Sequence, residues 1–213
     1  MNKIENTFKK RFHVRNFNNR IPDKSLVQDM ITKTYQCVPS KQLIVPYSLT
    51  VLGPDKKDER MLFYKFCRDE TGLSNNQIKD NNDGAKLYDA PYVLIFTTRV
   101  IKNLSKSMSI QYQKSEWCWP AIQTPHKLTS AHYIEVGMFC TILAGMCIEN
   151  NLASSFSLLF PRDGYQGWKK IDFIEGRVLF CMTLGYTDMI SPIPRVATGD
   201  ECRPPIEDII NFL

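Results

Sequence analysis

Between about Ala131 and Ile148 the chain is apolar on nearly every side of a helix, with Glu135 as its one charge. A surface helix keeps a single apolar stripe, whereas a helix with no polar face has to be enclosed. The run from Tyr133 to Ile148 carries Glu135 and falls short of the roughly 20 residues that cross a bilayer, so it reads as a buried core helix and no membrane is expected. Gly137 and Gly145 each lower helix propensity by about 1 kcal/mol relative to Ala. Close approach of another element is the natural reason for them.

A helix of this kind needs a sheet to lie on, and four strand signals supply one. They are Tyr47 to Leu52, Tyr92 to Thr98, Ser155 to Phe160 and Val178 to Leu184, each rich in β-branched or aromatic residues and bounded by Gly, Pro or Asp. Helical patterns alternate with them. Pro22-Asp23-Lys24-Ser25 starts one, with Asp23 as the candidate cap and Leu26, Val27, Met30, Ile31 and Tyr35 on its apolar face. The polar run from Ser74 to Gly84 reads as a surface loop. With 213 residues, 43% of them hydrophobic, one core forms without metal or disulfide support. The expected class is therefore α+β in three layers, as a single domain over residues 1–213.

Seven cysteines show no CxxC spacing, and Cys140, Cys147 and Cys181 lie in apolar runs; they read as reduced, mostly buried thiols of a cytoplasmic protein. The first residues carry no apolar signal segment. Cys118, between Trp117 and Trp119, has no His or basic neighbour to activate it. His126 and His132 are six apart, a poor spacing for ligands on one helix, so no metal site is expected. A net charge of +5, with 22 acidic residues among the charged ones, is too modest to make nucleic acid the leading partner, even with Lys9, Lys10, Arg11, Arg15 and Arg20 grouped near the start.

The N-terminal stretch is chemically more pointed. Arg11-Phe12-His13-Val14-Arg15-Asn16-Phe17 is followed, about one helix later, by Val38-Pro39-Ser40-Lys41-Gln42 and Pro46-Tyr47. Arg11 and Arg15 share a face if they close a helix, so both guanidinium groups would reach one anion. Phe17 would anchor the segment to the core. Lys86 then precedes Tyr88-Asp89-Ala90-Pro91 and a strand; Asn151-Leu152-Ala153-Ser154-Ser155 follows the long helix; Leu184-Gly185-Tyr186 ends the last strand; and Arg203-Pro204-Pro205 comes late. In this order the motifs resemble the nitroreductase family over nearly the whole chain.

That resemblance implies a homodimer with a three-layer fold, a mainly antiparallel central sheet and a core helix that contributes to the dimer interface. It implies FMN as cofactor and NAD(P)H as electron donor. By the same resemblance Arg11 and Arg203 take the phosphate, Arg15 and Lys86 lie at the isoalloxazine, and Phe12, His13 and Ser155 belong to the cofactor site. Pro39, Ser40, Lys41 and Gln42 come from the other subunit. The activity implied is ping-pong hydride transfer through flavin N5 to a planar acceptor such as a nitroaromatic or a quinone, with no catalytic side chain of the protein's own. Tyr112, Trp117 and Trp119, in an aromatic lid insert over residues 109–127, and Phe156 are the substrate-side candidates. The tail over residues 190–213 is expected to reach the partner subunit.

The chain also departs from the family pattern. His13 stands where a small Ser is usual, Leu43 and Val45 replace side-chain amides, and Phe156-Ser157-Leu158-Leu159 reads as strand where a Pro and a Gly-containing loop are common. These departures keep a second reading open: a nitroreductase-like fold without efficient redox activity that serves as a flavin- or nucleotide-binding or assembly module.

Overall fold

The computed structural model describes residues 3–11, 14, 16–40, 45–71, 90–99, 130–157, 171–189 and 209–210. The elements in chain order are α1 (Lys3–Lys9), α2 (Lys24–Cys37), β1 (Tyr47–Leu52), α3 (Lys57–Thr71), β2 (Tyr92–Thr98), α4 (Ser130–Glu149), β3 (Ala153–Ser157) and β4 (Val178–Gly185). The four strands form one sheet in the order β1-β2-β4-β3, and every neighbouring pair is antiparallel. The α+β class and the antiparallel sheet expected from the sequence are what the chain adopts.

Two apolar clusters, one on each face of the sheet, hold the layers together. Side chains alternate across a strand, so Tyr92, Leu94 and Phe96 of β2 join α2 and α4 in the first cluster. Val93 and Ile95 join Phe63 and Cys67 of α3, with Ile171 and Ile174, in the second. All seven residues of β2 are buried, as a central strand covered on both sides must be. Tyr47, Phe96 and Phe139 pack edge to face, with ring centroids 5.3 to 6.0 Å apart, and this triplet fixes α4 over β1 and β2. Phe17 packs against the second cluster, as its anchoring role requires.

The alternation is broken once. Phe96 pairs with Phe180 but Thr97 pairs with Val178, so Leu179 is the extra residue of a bulge that re-aims the side chains around it. Leu179 and Phe180, consecutive in sequence, consequently both pack on the α4 side of the sheet. Gly176, just before β4, lies so close to β2 that an added Cβ would stand 2.1 Å from the Thr98 carbonyl oxygen. Arg177 N–H donates to Thr98 Oγ1 (2.9 Å) and Thr98 N–H to the Arg177 carbonyl (2.8 Å).

Several local expectations need correction. The helix of the N-terminal segment ends at Lys9, so Arg11 lies beyond it and no last turn carries Arg11 and Arg15 on one face. Asp23 stands at the N-cap of α2, but its side chain makes no capping bond; its carbonyl accepts from Val27 N–H instead. The buried face of α2 is Val27, Met30 and Thr34, whereas Tyr35 is 55% exposed. Thr34 Oγ1 donates to Met146 Sδ of α4, which lets a polar residue hold a core position. Helix α4 satisfies the length and hydropathy of a membrane span, yet half of it is buried against the sheet and α2. Its two glycines differ: a Cβ at Gly145 would meet the Phe8 ring at 3.3 Å, but at Gly137 none of the described residues lies within 4 Å. Close packing therefore explains Gly145 within this chain and leaves Gly137 open.

Candidate functional site

The site begins with the way α1 lies along the C-terminal half of α4. Lys3 pairs with Glu149, the Thr7 hydroxyl donates to the same carboxylate, and Phe8 covers Gly145. Past the helix end, Arg11 N–H donates to the Phe8 carbonyl at 3.1 Å. The chain then delivers the Arg11 guanidinium onto the face of Phe156, with its central carbon 4.3 Å from the ring centroid. Among the described residues no carboxylate pairs with this cation. Partial burial lowers its pKa from the ordinary value, because a cation stripped of some of its water is disfavoured. It remains protonated, as a guanidinium always does.

Phe156 is itself fixed from below. It pairs with Met182 across β3 and β4, and its ring lies 5.6 Å from that of Phe180 at a tilt of 56°. Between this corner of the sheet and α4 is a cavity of about 350 Å³, lined by Tyr133, Val136, Gly137, Cys140 and Thr141 of α4 with Phe156, Leu179 and Phe180. A volume of this order, with mostly apolar walls, one of them the ring that carries Arg11, suits a planar organic ring bearing an anionic group. Cys140 is no nucleophile here, because burial pushes its thiol up to about 12.

The loop after α2 is organised by Ser40. Its hydroxyl oxygen accepts the Val45 N–H at 2.9 Å, and Val45 adopts the left-handed conformation at φ 47°, which is strained for a β-branched residue. Arg99 clamps the far side: its guanidinium donates to the Val45 carbonyl and its backbone N–H to that of Pro46. Pro39, just before Ser40, is exposed. In Tyr47, which follows Pro46, burial first and then the charge of Glu135 push the phenol pKa well up.

The structure therefore brings together Arg11 and Phe156, with Ser155 next along the same strand, while Pro39 and Ser40 belong to the separate loop before β1. Phe156, expected on the substrate side, is the ring on which Arg11 rests. Phe12, His13, Arg15, Lys41, Gln42, Lys86 and Arg203, and the substrate-side Tyr112, Trp117 and Trp119, lie outside the described residues, as do the 74–84 loop, the 109–127 insert and all of the tail except residues 209–210. Sequence reasoning missed Tyr133, Leu179 and Phe180. The run Val178-Leu179-Phe180-Cys181-Met182 is apolar throughout, so its alternation carries no mark of the bulge that turns Leu179 and Phe180 to the same side.

The arrangement of sheet, core helix and N-terminal arm has close counterparts among solved structures. A nitroreductase family protein from Streptococcus pneumoniae superimposes with a TM-score of 0.64 at 16% identity, covering 99% of this chain and 100% of its own. The chain has the nitroreductase fold. A nitroreductase with bound FMN from Desulfitobacterium hafniense matches at 0.62 and 17% identity, over 96% of this chain and 99% of that one. The NADPH:FMN oxidoreductase from Vibrio harveyi, complexed with NAD+, matches at 0.62 and 15% identity, over 98% and 82%. No protein-family model and no curated protein matches the sequence. The kinship with other nitroreductase folds thus lies in three-dimensional arrangement, carried by packing that tolerates replacement of most residues.

Proposed function

We propose that this chain is an FMN-dependent NAD(P)H oxidoreductase of nitroreductase type, reducing a planar acceptor such as a nitroaromatic or a quinone. The observation that carries the reading is Arg11: a half-buried cation with no acidic partner among the described residues, stacked on Phe156, a ring that lines a largely apolar cavity in a nitroreductase fold. The solved proteins of this fold named above include one with FMN bound and one named as an NADPH:FMN oxidoreductase.

The residues present fit a flavin monophosphate. Arg11 would take the phosphate through paired N–H donors, the apolar cavity walls would keep water from a flat ring, and the Ser40 hydroxyl retains a proton to donate after accepting from Val45. FMN, when bound, would supply hydride exchange between nicotinamide and acceptor. Arg203 would complete the phosphate site, Arg15 and Lys86 would place positive charge at the ring, and Tyr112, Trp117 and Trp119 would select the acceptor.

The same reading makes the protein a homodimer, with Pro39 to Gln42 contributed across the interface. Its support is the exposed part of α4, where Tyr133 is 49% and Ile134 59% exposed. An apolar face of this kind on a core helix calls for a cover. The test is the visible spectrum of protein reconstituted with FMN, desalted, and treated anaerobically with NADH or NADPH. Retained flavin absorbance that bleaches supports the reading; loss of all flavin on desalting refutes it. Arg11→Ala should weaken FMN binding without unfolding the chain, and unchanged affinity would remove Arg11 from the site.

Retained absorbance that does not bleach would favour a flavin-binding module without efficient redox activity. One observation favours that second reading: β3 stays paired with β4 through Phe156 and Ser157, opposite Met182 and Cys181, where the resemblance led to a Pro and a Gly-containing loop.

A further inference from the structure

We propose that Phe156 is the positioning residue for the anion site: its ring holds the Arg11 guanidinium by the face and so presents the N–H edges to a ligand phosphate. A guanidinium over an aromatic ring within about 6 Å is held by the ring quadrupole, and here the distance is 4.3 Å. Stacking occupies only the flat face, while the five N–H donors lie in the plane and stay available for a bidentate anion. Arg11 has little else to orient it. It lies beyond the end of α1, its described backbone bond is to the Phe8 carbonyl, and no acidic side chain among the described residues shares its charge.

The platform is rigid for reasons that run through the sheet. The Leu179 bulge turns Phe180 to the α4 side, Phe180 supports Phe156, and Phe156 supports Arg11. The Arg20 stack offers a contrast: Arg20 lies 4.2 Å over Tyr186, but Arg20 is exposed and Tyr186 does not line the cavity. Of these two stacks, it is the ring under Arg11 that lines a ligand-sized space.

This inference rests on the proposed flavin function for the identity of the anion, but not for the stack itself. The test uses the full chain with Phe156→Leu, which keeps apolar volume, and Phe156→Tyr, which keeps the ring. Two readouts are taken: the NMR shift of the Arg11 Nε–Hε pair, and affinities for FMN, riboflavin and inorganic phosphate. The Arg11 resonance should carry a ring-current shift that Phe156→Leu abolishes and Phe156→Tyr retains. Phe156→Leu should weaken phosphate binding about fivefold, the scale of a partly desolvated cation–π contact, and weaken FMN binding by that factor more than riboflavin binding, which reads only the ring's part in the cavity wall; Phe156→Tyr should match the parent protein.

An Arg11 resonance indifferent to Phe156→Leu would overturn the proposal. Equal loss of riboflavin and FMN, with phosphate binding unchanged, would overturn it too, since the ring would then act only as a wall of the flavin pocket. Should the parent protein bind phosphate but no flavin, the flavin reading fails alone while the resonance and phosphate titration still decide the positioning role. Binding of neither FMN nor phosphate would overturn both.

Discussion

Replacing Gly137 by Ala separates what α4 does within one chain from what it does against a second. The position is in the middle of a 20-residue helix, its backbone carbonyl accepts from the Thr141 hydroxyl, and among the described residues an added Cβ meets no atom within 4 Å. Within one chain, the methyl costs nothing in space and removes the excess backbone entropy of glycine. The expected gain is about 1 kcal/mol, or roughly 2 to 4 °C in Tm for a chain of this size. If a second copy covers this face, the methyl enters the contact, and stability then falls on dilution because association and folding are linked. Urea denaturation across a wide range of protein concentrations, with sedimentation at the same concentrations, distinguishes the two. A gain independent of concentration in a monomer supports the open-space reading and argues against the dimer face at Gly137. A concentration-dependent loss places the interface there. A loss of the same size at every concentration would refute the reasoning, because it requires a clash within the chain that the described residues do not make.

Two further outcomes test the scaffold. Gly176→Ala forces a methyl against the Thr98 carbonyl, backbone on backbone, and should cost at least the 1 to 3 kcal/mol or so typical of overpacking; an unchanged urea midpoint would show that β2 and β4 are not so closely apposed. The buried thiols predict a steep alkaline limit. Burial pushes Cys140 and Cys147 up to about 12 from an ordinary value of 9.0, and Cys67 and Cys181 are raised as well. The folded chain then keeps protons that the unfolded chain gives up, so this stability is fully present below the unfolded value and is lost as the pH rises from there toward the folded one. Each thiol contributes a slope of up to about 1.4 kcal/mol per pH unit. Cys147→Ala should flatten the pH dependence of the unfolding free energy by one proton's worth, and an unaltered slope would remove Cys147 from the account.

What the sequence disclosed follows from how much of each element's environment is local. β1 and β2 were legible to the residue because composition marks both, with Pro46 and Gly53 bounding β1 and Pro91 preceding β2, and α4 because a helix without a polar face has few other uses. The face of α2 was less so: Tyr35 matched the apolar spacing better than Thr34 did, but Met146, distant in sequence, offers Thr34 a sulfur acceptor, and no periodicity contains that information. Arg11 was legible as a cation in a motif, yet its helical context was not, because α1 stops where the arm must turn toward β3.

Phe156 shows best how far local reasoning extends. In sequence it is a departure, an aromatic in place of a loop-forming residue, and taken alone it counts against flavin chemistry. In the fold the same ring carries Arg11, because a bulge elsewhere in the sheet raises Phe180 beneath it. A chain that has replaced most residues of its fold can retain a function only if new contacts do the work of lost ones. An aromatic platform for a guanidinium is one physical means of fixing a phosphate-binding group when the usual polar neighbours are gone. Whether substitution of Phe156 changes FMN affinity more than riboflavin affinity therefore decides between a departure that weakens the site and one that rebuilds it.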